Sequence, residues 1–245
     1  MIWIGARTAS LALAAAAAGM LAGCGPRGGE PKWRVNHFLS SPADLRRVGR
    51  IVFVELTPEP TCPPEVAWQT TQAVYKALQH KSLFHVDLVR QADPICHELP
   101  IGRVEAFSVA ELAKIRQALR CDAVLFGRVS HFKPFPAMQM GLYLKLLYLK
   151  EARAIWAVDH VWDTTDQDTE WRIRRYFARE IRSGYDPLGW ELILKSPRAF
   201  ERYVAYELAE TLPAGYVPHT SADRRRGAAA GASAGGPAKK EQPNP

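Results

Sequence analysis

Short apolar runs and helical repeats alternate through the middle of the chain. Ile51–Leu56 is an almost continuous apolar run bordered by Arg50 and by prolines, the pattern of a strand buried on both faces. Apolar residues then recur at helical spacing up to about Lys81, and Phe84–Val89 alternates between apolar and polar side chains. These segments predict a strand, a helix and a second strand.

A second helix and strand follow the same order. Ser108 can cap a helix, and Glu111 three residues later completes the sequence signature of a capping box. The segment Asp122–Phe132 then predicts a third strand. Two successive strand-helix-strand units imply parallel pairing through right-handed crossovers.

The pattern changes to a hairpin after this third strand. Met140–Leu149 is a long apolar strand, Ile155–Asp163 alternates, and the polar segment Lys150–Arg153 between them predicts a turn. These two strands are therefore expected to pair antiparallel.

Two helices are predicted at the C-terminal end of the domain. One is charged and amphipathic, from about Thr169 to Ser183, and the other begins at Ser196 with a proline in its first turn. The predicted fold class is α/β, with a mixed sheet of about five strands. The order is strand-helix-strand-helix-strand-strand-strand, followed by two C-terminal helices.

The N-terminal segment predicts export and lipid attachment. Residues 8–22 are nearly all Ala, Leu, Gly or Met, an apolar run too short for a permanent membrane span. Its end, Leu21-Ala22-Gly23-Cys24, resembles the lipobox of bacterial lipoproteins. That resemblance implies cleavage before Cys24 and a diacylglycerol, with further acyl chains such as palmitate, at this residue. The alternative is an ordinary signal peptide in which the cysteine is incidental.

Four regions follow from these patterns. Residues 1–23 are expected to be a signal peptide, 24–47 the lipidated cysteine and a tether, 48–213 one α/β domain, and 214–245 a disordered low-complexity tail. Gly25 stands where many lipoproteins retained in the inner membrane have Asp. By analogy, we expect an outer-membrane lipoprotein that faces the periplasm.

The chain carries a formal net charge of +7 at pH 7, which favours anionic partners such as phospholipid headgroups or peptidoglycan. Nucleic acid is not expected as a partner, because the leader sends the protein out of the cytoplasm. The arginines of the first C-terminal helix alternate with glutamates, which indicates a solvated helix face rather than a specific anion site.

Three cysteines remain after Cys24. Cys62 and Cys96 both lie beside prolines in predicted loops, and an exported domain meets an oxidising compartment, so a disulfide between them is predicted. Cys121 opens an apolar strand and is expected to be a small buried residue. The cysteine and histidine spacings do not indicate zinc.

One part of the sequence resembles a known periplasmic module. The phrase Cys121-Asp122-Ala123-Val124-Leu125-Phe126-Gly127, followed by the hairpin that ends at Asp163-Thr164, looks like the α/β module of three protein groups. These are the N-terminal domain of the Tol translocation protein, the lipoprotein activators of penicillin-binding proteins, and the curli-secretion lipoproteins. The resemblance covers Arg50 to Asp166 and implies a fold without catalytic residues.

The sequence offers little catalytic chemistry. HExxH and GxxxxGK[ST] are absent, and the matches to GxGxxG at Gly23–Gly28 and to GxSxG at Gly231–Gly235 lie at the end of the predicted leader and in the low-complexity tail rather than at a strand-to-helix turn. His131, His160, Asp159 and Asp163 lie on strands expected to be neighbours, which is a weak metal or acid/base hypothesis. The alternative is the polar face of a half-exposed sheet, and we expect no catalytic residues, no metal and no cofactor.

Aromatic residues concentrate in the C-terminal half. Trp171, Arg175 and Trp190 are predicted to form a partner surface, because Trp and Arg are enriched at binding hot spots. The leading hypothesis is a non-enzymatic envelope lipoprotein that docks a protein partner. The alternative is a cell-wall or glycan binder, which a groove lined by Trp and Arg between the sheet and the last two helices would favour. An enzyme of unknown class is the third hypothesis.

Overall fold

The computed structural model describes residues 35–60, 62–99, 101, 107–181 and 189–214. Within these residues seven strands form one sheet. The strands are β1 (His37–Leu39), β2 (Arg50–Val54), β3 (Thr57–Pro58), β4 (His85–Val89), β5 (Ala123–Lys133), β6 (Gln139–Tyr148) and β7 (Arg153–Asp163).

Seven α-helices lie in the same residues. They are α1 (Pro42–Arg46), α2 (Pro64–Lys81), α3 (Pro94–Glu98), α4 (Val109–Leu119), α5 (Gln167–Tyr176), α6 (Glu191–Lys195) and α7 (Pro197–Glu210), and a π-helical turn, Phe177–Ile181, follows α5. None of the described helices combines the length and the apolarity needed to cross a bilayer.

The strands are arranged in the order β1-β7-β6-β5-β2-β4, and β3 pairs with the outer part of β5. Strand β2 is parallel to both β4 and β5, whereas β5, β6, β7 and β1 pair antiparallel in succession. The mixed α/β sheet with two helical crossovers and a terminal hairpin is therefore confirmed. The sheet has seven strands rather than about five, because β1 and β3 are too short to produce a recognisable repeat.

Helices cover the two faces of the sheet unequally. The larger core cluster includes Val74 of α2, Ile173 of α5 and Val204 of α7. The smaller cluster, on the other face, includes Leu112 and Ile115 of α4. The larger face thus holds α2, α5 and α7, and α4 covers the opposite face over β2 and β5.

Gly127 explains one feature of the β5 sequence. A Cβ built on this residue would lie 2.1 Å from the backbone oxygen of Tyr143 on β6. The two backbones therefore approach too closely for any side chain at this position. Packing of β5 against β6 therefore requires Gly127, the last residue of the Cys121–Gly127 segment that resembles the periplasmic module.

The N-terminal part of the domain differs from the prediction. Residues 37–46 lie in the segment predicted as tether, yet they form β1, which pairs with β7, and α1. Leu45 and Val48 are buried in the larger core cluster. The tether prediction is wrong for these residues, because a three-residue strand and a five-residue helix carry almost no periodicity. The predicted signal peptide, Cys24 and the predicted tail beyond Ala214 lie outside the described residues.

Candidate interaction surface

Helix α5 begins at a side-chain cap and is fixed by its buried side. The Asp166 side chain accepts a hydrogen bond from the backbone N–H of Asp168, at 3.2 Å. Ile173 and Tyr176 then face the larger core cluster. Arg172, on the same side, is only 9% exposed, so its charge requires a buried partner.

That partner is Glu207 on α7, which is 2% exposed. Arg172 Nε donates to Glu207 Oε1 at 2.8 Å and to Oε2 at 3.1 Å. Trp162 Nε1 of β7 donates to Glu207 Oε2 at 2.8 Å, and Arg172 Nη2 donates to Thr169 Oγ1 at 3.1 Å. We call Arg172, Glu207 and Trp162 the buried lock, since they join α5, α7 and β7.

Electrostatics favour the ionised form of the arginine in this lock. Burial lowers the pKa of the Arg172 guanidinium, but the Glu207 carboxylate and the Tyr203 hydroxyl together more than offset that effect, so the pKa is raised above its ordinary value. Arg172 therefore stays charged, and the lock is an ion pair in which Arg172 Nη2 also donates to Thr169.

The outward side of α5 carries the predicted aromatic residues. Trp171 is 47% exposed, and the Arg175 guanidinium carbon lies 5.5 Å from the centre of its ring. The Arg174 guanidinium carbon lies 4.2 Å from the ring centre of Trp190, which is partly buried against the core. We call Trp171, Arg174, Arg175 and Trp190 the α5 surface.

The structure thus pairs Trp171 with Arg175 and pairs Trp190 with Arg174, in two separate cation–π contacts made by consecutive arginines. Arg174 is the member that the sequence analysis missed. It also donates to Glu170 Oε1 at 2.5 Å, and this i, i+4 spacing was the available signal. The arrangement gives an exposed Trp171 ring beside the Arg175 guanidinium, which suits contact with an apolar and partly acidic protein surface.

Two tryptophans near α7 do not line a groove of the kind that would favour the glycan-binding alternative. Trp156 and Trp162 are fully buried there. Their indole N–H groups donate to Thr211 Oγ1 at 3.0 Å and to Glu207, so these rings fill the space. An open hollow of about 750 Å³ lies elsewhere, at the amino end of β4, lined by Arg46, Gln79 and Ser82–Val86.

The histidines and acids of the hairpin do not converge. His131 contacts Gln139 Oε1 at 3.0 Å, and Gln139 Nε2 donates to Asp163 at 2.6 Å. His160 instead packs edge-on against Trp162 on the other face of β7, where burial, and then the charge of Arg172, lower its pKa. Among the described residues, no three His, Cys, Asp or Glu side chains are grouped to hold a metal ion.

The predicted disulfide between Cys62 and Cys96 is not formed, and both cysteines are free, as is Cys121. Cys62 belongs to the larger core cluster, whereas Cys96 packs against the smaller one on the opposite face of the sheet. Their loops cover different faces, which proximity to prolines could not reveal. Cys121 is buried as expected, and burial raises its pKa to about 11.

No protein-family model matches the chain, and no curated protein matches it. Among solved structures, the fold is similar to the PelC dodecamer from Paraburkholderia phytofirmans, with 12% identity, a TM-score of 0.41 and coverage of 71% of this chain and 96% of that chain. It is similar to the lipoprotein GNA1162 from Neisseria meningitidis, with 13% identity, a TM-score of 0.35 and coverage of 54% and 99%.

The C-terminal domain of LpoB from Salmonella enterica is also similar, with 14% identity, a TM-score of 0.33 and coverage of 49% of this chain and 90% of that chain. The chain is thus similar in fold to a solved bacterial lipoprotein and to the LpoB domain. Because these identities and TM-scores are low, we base the function on this chain's own residues.

Proposed function

We propose that this chain is a lipoprotein of the bacterial cell envelope that is anchored through acyl chains on Cys24 and docks a protein partner at the α5 surface. The exposed Trp171 beside Arg175, on a helix fixed by the buried lock, carries the docking proposal. Trp and Arg at a rigid position are the residues that dominate protein interfaces. The leader and the Leu-Ala-Gly-Cys motif support the anchor.

The mechanism is positional. Several acyl chains hold a protein stably at a membrane, where one chain would not. Confinement raises the effective concentration of the α5 surface near other envelope proteins, so a weak contact is sufficient. We propose the outer membrane and its periplasmic leaflet as the location.

The docking proposal is tested by photo-crosslinking in cells. A photoreactive amino acid is placed at Ala178, which is exposed and lies two helical turns after Trp171, or at Lys76, an exposed control position on α2. We expect a discrete crosslinked protein from Ala178 and none from Lys76. Trp171→Ala combined with Arg175→Ala should remove the Ala178 product.

Equal products from both positions, or an Ala178 product that survives the double substitution, would contradict docking at the α5 surface. Circular dichroism of the double variant serves as the control for folding. Because Trp171 is exposed and Arg175 is partly exposed, we expect the helix content to be unchanged.

A further inference from the structure

The β5–β6 hairpin ends in a loop that carries the most exposed large apolar side chain in the described part of the chain. Strand β5 continues to Lys133, past its last β3 partner at Val129, and β6 begins at Gln139. The residues Lys133–Pro136, which we call the hairpin tip, are all exposed. Among them, Phe135 is 80% exposed.

The hairpin tip is fixed to the domain at both of its ends. On one side, Phe132 packs against the larger core cluster. On the other side, Met138 is buried, its backbone N–H donates to Thr164 Oγ1 at 3.0 Å, and its carbonyl oxygen accepts from the Thr164 N–H at 3.0 Å. The Phe135 side chain is therefore presented to solvent on a loop whose ends are held in place.

The described part of the chain begins at the same end of the sheet. Strand β1 is antiparallel to β7, so the residues before β1 lie towards the end of β7. The carbonyl oxygen of Asn36 accepts a hydrogen bond from the Asp159 N–H at 3.2 Å. Asp163, four residues further along β7, pairs with Gln139 at the base of the hairpin tip. The segment that carries Cys24 therefore joins the domain at the end that bears the tip.

We infer that the hairpin tip inserts Phe135 into the headgroup interface of the bilayer that holds the Cys24 anchor. The inference rests on the proposed lipid attachment, which confines the domain to a membrane surface and makes the contact intramolecular. Phe is one of the residues that peripheral segments bury at the boundary between headgroups and acyl chains. Burial of a Phe side chain shifts an equilibrium by about 10- to 100-fold, which suffices once the anchor supplies proximity.

The composition of the tip keeps the cost of insertion low. Pro134 and Pro136 have no backbone N–H, so two of the four tip residues bring no donor that would lose its water. The long side chain of Lys133 is exposed and keeps its ammonium group among the headgroups. Because the acids Asp163 and Asp166 lie at the same end as this lysine, we expect the same contact with neutral and with anionic lipid.

The anchor allows this contact, and the contact sets the orientation of the domain. Ten residues, 25–34, link Cys24 to Val35, and at about 3.3–3.6 Å per residue they span up to about 40 Å. Helix α5 begins at the same end, at its Asp166 cap. At about 1.5 Å per residue, Trp171 lies about 8 Å further along the helix. Insertion of the tip thus keeps the α5 surface close to the membrane, where other anchored proteins lie.

Photo-crosslinking to lipid tests the inference on the acylated protein in nanodiscs. p-Benzoylphenylalanine replaces Phe135 or, as the matched control, Phe38, a phenylalanine on β1 that is 52% exposed. One set of discs is pure phosphatidylcholine, and the other contains phosphatidylglycerol as well. We expect the mass of one phospholipid to be added at position 135 in both sets, and about tenfold less adduct at position 38.

A second measurement uses the natural side chains. In the discs, the acetylation rate of Lys133 should rise about tenfold in the Phe135→Ser variant and stay at the wild-type rate in the matched Phe38→Ser variant. Lys76 and Lys195, which are exposed on α2 and α6, should be acetylated at the same rate in all three proteins.

Equal lipid adducts at positions 135 and 38, or a Lys133 rate that Phe135→Ser leaves unchanged, would overturn the inference. A position-135 product that forms only with a protein from an added envelope extract would also overturn it, and would assign the hairpin tip to a protein partner.

Failure of the natural lipid attachment is recognised separately, because the isolated protein would then carry no acyl mass. In that case the chain 24–245 is joined through its N-terminal cysteine to a thioester-bearing lipid in the discs, by native chemical ligation, which imposes the anchor. A lipid adduct at position 135 would then still support insertion of the tip, and its absence would overturn it.

Discussion

The buried lock should control the stability of the domain, and Glu207→Leu is the perturbation that shows it. The substitution leaves the Arg172 guanidinium, 9% exposed, without its carboxylate, and leaves Trp162 Nε1 without the acceptor at 2.8 Å. Removing one partner of a buried ion pair costs about 3–5 kcal/mol, because the remaining charge is uncompensated. We therefore expect the free energy of unfolding to fall by about 4 kcal/mol in urea titrations at pH 7.

The double variant Arg172→Met and Glu207→Leu separates the buried charge from the packing. It removes both charges and leaves only the Trp162 N–H without a partner, at a cost of about 1–3 kcal/mol. The double variant should therefore be more stable than Glu207→Leu alone. Two results would refute the claim that Arg172 depends on Glu207 to compensate its buried charge. One is a loss of stability below about 1 kcal/mol for Glu207→Leu, and the other is a double variant that is less stable than Glu207→Leu.

Three further predictions concern other positions. Glu201 is 2% exposed, and burial raises its pKa from 4.5 to about 7. The free energy of unfolding should therefore fall as the pH rises from 4.5 to about 7, because the Glu201 carboxyl loses its proton in the unfolded chain at a lower pH than in the folded one. Glu201→Gln should remove that slope and raise stability at pH 8 by up to about 3 kcal/mol in urea titrations, with little change at pH 4. Gly127→Ala should cost about 3 kcal/mol or more by thermal unfolding, because its Cβ would meet the Tyr143 backbone oxygen at 2.1 Å. Ser108→Ala should cost about 1 kcal/mol by urea titration, because the capping box with Glu111 is lost.

The alternating β-strand and helix order could be predicted because those elements have strong periodicity and local end signals. The Ser108–Glu111 capping box and the Ser196 cap of α7 are both formed. The β6–β7 hairpin followed from two long apolar segments around a polar turn, and the structure pairs them from Gln139–Asp163 to Tyr148–Arg153. In each case the deciding residues are close in sequence.

The elements that were missed depend on distant partners. Arg172 looked like part of a solvated helix face, but it is buried because Glu207, 35 residues away on another helix, accepts its hydrogen bonds. Strand β1 is stabilised by β7, with Phe38 opposite Ala157. The cysteine pairing was wrong for the same reason, since only the tertiary structure assigns each loop to a face of the sheet.

The surface residues Trp171 and Arg175 could be identified from the sequence, but their arrangement could not. Their i, i+4 spacing on a predicted helix allowed the cation–π contact. The position of Trp190 beside Arg174 depends on how the chain returns to α6 after α5. The contact between Trp190 and Arg174 therefore could not be predicted without the tertiary structure.

Lipid attachment at Cys24 is the claim on which the proposed location at a membrane depends, and intact-mass spectrometry of the protein isolated from membranes measures it directly. We expect a polypeptide that begins at Cys24 and carries the mass of a diacylglycerol with a further acyl chain, and a Cys24→Ser variant that is not acylated and leaves the membrane fraction. An unacylated mature chain, or a Cys24→Ser variant that stays in the membrane fraction like the wild type, would contradict it.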